Sequence, residues 1–145
     1  MITIAYPTQK PKLKEIGSIT YIFCIVRKKW VVLTPEEWVR QNFLLYLTIV
    51  LQYPLPLIAV EKQVLFTTLK KRFDIVVYNN AIPYLIIECK EMNVPLAENT
   101  LLQVLHYNAT IQAAILIITN GHFCKAYKKN NTALIELSTL PAFEG

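Results

Sequence analysis

A chain of 145 residues and 16.7 kDa is the size of one domain and buries roughly 70% of the surface its unfolded form exposes. With 54% hydrophobic residues, 17% charged residues and three glycines, its composition excludes intrinsic disorder and a collagen-like repeat. Fifteen Lys and Arg against ten Asp and Glu leave a net charge of +5, a balance compatible with a polyanionic partner such as nucleic acid.

A mean hydropathy of +0.35 raises the question of a membrane span. The richest stretch, Phe43 to Val60, is interrupted by Thr48, Gln52, Pro54 and Pro56, short of the ~18 unbroken apolar residues that a span needs. The opening MITIAYPTQKPKLK lacks the basic, apolar and small-residue order of a secretory signal. The chain therefore reads as cytoplasmic, with no membrane partner. Cys24, Cys89 and Cys124 lie far apart with no C-x-x-C pair, which points to buried, reduced thiols rather than disulfides or a zinc site.

Residues 1–17 contain two prolines and spaced lysines before Gly17 and read as an arm lying on the domain or partly mobile. Ile19–Val26 and Trp30–Leu33 are β-rich runs flanking Arg27-Lys28-Lys29, a hairpin whose basic tip is either a solvated turn or a phosphate contact. Thr34-Pro35-Glu36-Glu37 opens a helix, with Thr34 as N-cap, Pro35 at the first helical position and Glu37 completing a capping box. Trp38, Phe43, Leu44, Leu47 and Leu51 recur at helical spacing, and Tyr53-Pro54-Leu55-Pro56 ends the helix.

Leu57–Phe66 and Phe73–Tyr78 read as strands joined through Lys70-Lys71-Arg72, with Asn79-Asn80 as a turn. Tyr84–Lys90 is apolar on both faces up to Ile87, as expected of an interior strand. Leu101, Val104, Leu105, Asn108 and Ile111 place a second helix over 97–112. Ala114–Thr119 is a buried strand, Asn120-Gly121 a turn, His122–Tyr127 a strand, Lys128–Asn131 a polar turn and Ala133–Leu137 a last strand. This order predicts an α/β (α+β) fold with a mixed β-sheet flanked by helices and an N-terminal β-hairpin. It reads as a single domain over 1–145, with the arm and hairpin in 1–33 and the core in 34–140.

Ionised groups are costly in an apolar strand unless they pair or bind metal. Asp74 interrupts Phe73–Val77, and Glu88 and Lys90 end the strand from Tyr84. Strand alternation puts Glu88 and Lys90 on one face and Cys89 on the other. If the two strands are neighbours, Asp74 and Glu88 converge on one divalent cation with Lys90 beside them. Carboxylate oxygens with water and phosphate suit Mg²⁺.

Phe73-Asp74 followed by Glu88-Cys89-Lys90 resembles the PD-(D/E)XK nuclease motif, with Phe73 in place of the leading proline. Its setting comprises Thr34 to Gln41, Arg72 to Tyr78, Ile87 to Lys90, Gln103 with Tyr107, and Thr119-Asn120-Gly121. Together these are similar to the N-terminal nuclease domain of type I restriction enzyme R subunits and its small stand-alone relatives, over roughly residues 20–127. The resemblance implies a restriction-endonuclease-like core and a DNA endonuclease dependent on Mg²⁺, with Mn²⁺ as a substitute. It implies Asp74 and Glu88 as metal ligands, joined by the Cys89 backbone carbonyl, with Lys90 as the catalytic lysine. Gln103 and Tyr107 match the family's Gln-x-x-x-Tyr pattern and join the catalytic set, to contact DNA or position its groups, with ordinary helix packing as the plain alternative. No G-x-x-x-x-G-K-[ST] loop is present, so no ATP motor is expected. A homodimer is compatible with double-strand cleavage by one site per chain.

Each sharp reading has a plain rival. Asp74, Glu88 and Lys90 also fit an ion-pair cluster in an inactive nuclease fold that binds nucleic acid or assembles complexes. A protein-interaction domain whose positive charge aids solubility is the third reading. Glu37 is either a cap residue or an acidic residue near the metal. Glu61 competes for that acidic role, with simple exposure at a strand end as its alternative. His106 and His122 share no metal-ligand spacing and read as surface or supporting histidines. Lys70, Lys71 and Arg72 either guide a phosphate backbone or form a solvated turn.

Overall fold

The computed structural model describes residues 1–66, 69–96, 112–130 and 133–145, with backbone alone over 63–66 and 69–71. The fold is mixed α/β. The described strands are β1 (Ile2–Thr3), β2 (Leu13–Ile16), β3 (Ile19–Cys24), β4 (Lys29–Val32), β5 (Ile58–Phe66), β6 (Leu69–Asn79), β7 (Ile82–Cys89), β8 (Ile115–Thr119), β9 (Phe123–Asn130) and β10 (Ala133–Leu137), with the helix α1 at Pro35–Leu45. The main sheet runs β1-β9-β8-β7-β6-β5, and β10 also pairs with β9. Its β7–β8 pair is parallel and its other pairs are antiparallel. A second sheet runs β2-β3-β4.

Strands β7 and β8 are the apolar centre. Leu85, Ile87, Ile115 and Ile117 face the cluster that α1 covers with Val39, Phe43 and Leu44. Ile86, Leu116 and Ile118 face the opposite cluster with Phe73 and Val76. Burial on both sides explains why these strands lack polar alternation. All three cysteines are free and buried. At the β8–β9 turn, the Asn120 side-chain oxygen accepts from the backbone N–H of His122 and Phe123, an Asx-type turn. Gly121 sits there at φ +92, and a Cβ on it would lie 3.2 Å from Val39. Among the described residues no helix is long and apolar enough to cross a membrane.

Several sequence expectations change. Residues 1–17 are not simply an arm: β1 pairs with β9, Ile2 opposite Cys124, and β2 adds a third strand to the hairpin. Both moves satisfy edge N–H and C=O groups. The expected long helix is α-helical only to Leu45, and Tyr46–Val50 continue as a wider π turn. There the Thr48 hydroxyl donates to the Leu44 carbonyl at 2.9 Å, and the β-branched run Thr48-Ile49-Val50 crowds a tight α turn. Lys70-Lys71-Arg72 belong to β6 rather than to a connection. The expected polar turn from Lys128 begins as strand, because β9 runs to Asn130 against β10, Lys129 opposite Leu134. The second helix expected over 97–112 lies almost wholly outside the described residues.

The α1 start follows the sequence closely. Thr34 is extended, and its hydroxyl accepts from the Glu37 N–H at 3.0 Å, with Pro35 next. Thr34→Ala removes that acceptor and lowers stability by about 1 kcal/mol, to be read as a lower urea midpoint at unchanged slope.

Candidate functional site

Strands β6 and β7 pair with Ile75 opposite Ile87, so the next position along the ladder brings Asp74 beside Glu88. The Asp74 carboxylate lies close enough to oppose the ionisation of Glu88. Lys90 Nζ lies 3.6 Å from Glu88 Oε1. Cys89 points the other way, into the core with Ile87, and its backbone N–H donates to Asp74 Oδ2 at 2.7 Å. The alternation read from the sequence is therefore present, and Asp74 is held by the backbone of the opposite strand.

A buried cation organises the other side. Arg40, on α1 and 5% exposed, donates to Asp74 Oδ1 at 2.9 Å, to Glu61 Oε1 at 2.7 Å and to Glu37 Oε1 at 3.1 Å. Gln41 donates to Glu37 Oε2 at 2.9 Å, and Arg27 reaches Glu37 Oε1 at 3.1 Å. Glu37 thus supplies only its N–H to the cap. Its carboxylate turns inward, because Arg27 and Arg40 offer charge-assisted hydrogen bonds. Glu61 sits at φ +55, a conformation costly for a residue with a Cβ. It is held by Arg40 and by Arg72 at 3.2 Å.

The electrostatics follow from these contacts. Burial lowers the Arg40 pKa, but Glu37, Asp74 and Glu61 outweigh it, and the net shift is upward. Burial raises the Glu61 pKa, and Arg40 and Arg72 reverse this to a net lowering. Glu88 moves the other way: burial and the Asp74 charge push it up to about 8, with Lys90 opposing only in part. Beside this cluster a cleft of about 520 Å³ is lined by Glu36, Glu37, Arg40, Glu61 and Glu91.

A profile described as the type I restriction enzyme R protein N terminus (HSDR_N) matches residues 35–141. The chain belongs to this family. No curated protein and no solved structure matches it. The HSDR_N match begins at the first residue of α1, so β2, β3 and β4 precede it.

In this HSDR_N chain the structure brings Asp74, Glu88 and Lys90 together, and brings Glu37 and Glu61 to the same place through Arg40. Gln103, Tyr107 and His106 lie outside the described residues. His122 is exposed. Arg72 is exposed and pairs with Glu61, while Arg27 is tied to Glu37 rather than free in a solvated tip. Among the described residues no three His, Cys, Asp or Glu side chains gather to hold a metal ion. The residues missed from the sequence are Arg40 and Gln41. Their signal was the spacing from Glu37, which puts all three on one face of α1.

The raised Glu88 pKa has a stability consequence. Between its ordinary 4.5 and about 8, the folded state keeps a proton that the unfolded state releases. Stability is therefore full below the lower value and falls as pH rises through that window. Glu88→Gln, which mimics the protonated form, removes this part of the fall. Urea midpoints of both proteins in EDTA from about pH 5 to about pH 8 measure the difference; parallel curves would place Glu88 at its ordinary pKa.

Proposed function

We propose that this chain is a metal-dependent DNA endonuclease of the PD-(D/E)XK type, with Asp74, Glu88 and Lys90 at its centre. The observation that carries the reading is the convergence of two carboxylates across β6 and β7, beside one lysine, in a chain of a restriction-enzyme family. Glu88 holds a proton well above the usual carboxylate range because it is buried and because Asp74 is near, and Lys90 offsets this only in part. Hard oxygen donors short of a counter-charge fit Mg²⁺ or Mn²⁺, which take one or two carboxylates plus substrate oxygens. Asp74, Glu88 and the Cys89 carbonyl are the residues that would hold it.

A cation bound there supplies Lewis acidity toward the phosphodiester and a more acidic water. Asp74 is pre-oriented for its part by the Cys89 N–H and by Arg40. Glu88 would hold the cation in its ionised form, its proton released to solvent. Lys90, a compact cation with three donors beside Glu88, would stabilise charge that develops on the phosphate.

A second reading has one specific observation in its favour. Arg40 already neutralises Asp74 Oδ1 at 2.9 Å, as it would in a fold that keeps the site for architecture and binds DNA without cutting it. Incubation of supercoiled plasmid, linear duplex and single-stranded DNA with Mg²⁺ or Mn²⁺ decides between them. Cleavage that stops in EDTA is the expected result. Intact DNA in every lane overturns the endonuclease in favour of the binding module.

A further inference from the structure

The three-stranded sheet has one face against the body of the protein and one face open. Ile22 and Cys24 are fully buried on the inner side. On the outer side the register sets Phe23 opposite Trp30, with rings 5.3 Å apart and edge-on, and Tyr21 opposite Val32. Ile16 pairs with Ile19 on β2 and β3, and the two are 59% and 46% exposed. Lys14 shares this face and places its ammonium 4.4 Å from the centre of the Trp30 ring.

Charge singles out the same region. Residues 10–32 carry Lys10, Lys12, Lys14, Arg27, Lys28 and Lys29 against Glu15 alone, while the rest of the chain has nine basic and nine acidic residues. The whole net charge of +5 therefore belongs to this sheet and its approach. Lys12, Lys28 and Lys29 are exposed. A second copy of the chain is a poor occupant for the face, since a symmetric contact would bring two such basic patches together.

We propose that the outer face of the β2-β3-β4 sheet binds single-stranded DNA, with bases stacked on Phe23, Trp30 and Tyr21 and phosphates neutralised by the surrounding lysines. Aromatic rings on an open sheet reach base faces only where the strand is unpaired, and flanking lysines track the backbone. Bound DNA displaces the Lys14 ammonium from the Trp30 ring toward a phosphate. The face precedes the residues of the family match and is distinct from the Asp74–Glu88 centre. The choice of DNA over RNA rests on the endonuclease reading; the stacking surface does not, and its test needs no cleavage.

The chain has two tryptophans, so Trp38→Phe leaves Trp30 as the single reporter. Titration with oligothymidylate in EDTA is expected to quench Trp30 emission, while heparin, a polyanion that can draw Lys14 away but has no bases to stack, quenches it less. In anisotropy with labelled oligothymidylate, Trp30→Ala and Phe23→Ala each weaken binding by roughly tenfold or more, Trp30→Phe recovers most of the loss, and duplex of equal length binds more weakly. Equal quenching by heparin, preference for duplex, or unchanged affinity in Trp30→Ala overturns the proposal. A dimer in sedimentation that Trp30→Ala splits assigns the face to a second copy instead and also overturns it. Tighter binding of oligouridylate overturns the choice of DNA, whatever the plasmid assay shows.

Discussion

Glu88→Ala is expected to abolish metal-dependent cleavage of plasmid DNA while the protein stays folded. Both halves follow from the same environment. Glu88 is expensive to ionise where it sits, because burial and Asp74 oppose its charge, so its removal takes away the proposed metal ligand without removing a source of stability. Near pH 8 the variant is expected to unfold at an equal or higher urea concentration than the wild type. Asp74→Asn is the matching change on β6: it keeps an oxygen for the Cys89 N–H and loses the charge that a cation needs. Lys90→Ala separates ligand from charge stabiliser. It is expected to bind Mn²⁺ in calorimetry as the wild type does, yet to cut about a hundredfold to a thousandfold more slowly, the loss typical of one positioned donor. Wild-type cleavage by Glu88→Ala would remove that residue from the mechanism, and full activity in Lys90→Ala would refute the role of the lysine.

Arg40→Met costs about 3–5 kcal/mol of folding stability, the loss expected when one partner of a buried ion pair is removed. The guanidinium is the shared donor for Glu37, Glu61 and Asp74, and methionine leaves three carboxylates facing one another in a partly dry site. That is a large fraction of the stability of an ordinary domain. Arg40→Lys restores charge but not the planar fork that reaches three carboxylates, and should recover part of the loss. Adding Glu37→Gln to Arg40→Met relieves one repulsion, so the double variant should be more stable than the sum of the single changes predicts. Urea unfolding of the wild type, Arg40→Met, Arg40→Lys, Glu37→Gln and the double variant measures each term. A loss below about 1 kcal/mol in Arg40→Met would mean that the carboxylates are solvated well enough not to need it.

The catalytic candidates were readable from strand chemistry because a charge inside an apolar run is conspicuous. Asp74 interrupts Phe73–Val77, and Glu88 and Lys90 end a strand that is apolar on both faces, so period-two alternation alone put those two on one side. Arg40 sent no comparable signal. It lies on a helix whose surface also holds Glu36, Glu37 and Gln41, where an arginine is ordinarily solvated. Only the seating of α1 over β6 and β7 decides that its guanidinium reaches Asp74 and Glu61. Glu37 shows the same limit: its place after Thr34 predicted the cap, and the backbone obeys, but the carboxylate follows a partner on the β3–β4 turn.

By itself the sequence determined the local and periodic features of this protein: where α1 starts, which strands are interior, where the Asn120-Gly121 turn falls, and which residues resemble a nuclease motif. Each depends on side-chain alternation or on contacts a few residues apart. Tertiary structure decided the rest. The pairing of Ile2 with Cys124, the parallel union of β7 with β8 and the meeting of Arg40 with Glu61 and Asp74 all join segments distant in the chain. Their physical cause is the same in each case. Backbone groups and charges withdrawn from water must find partners wherever packing brings them, and no window of local sequence records where that will be.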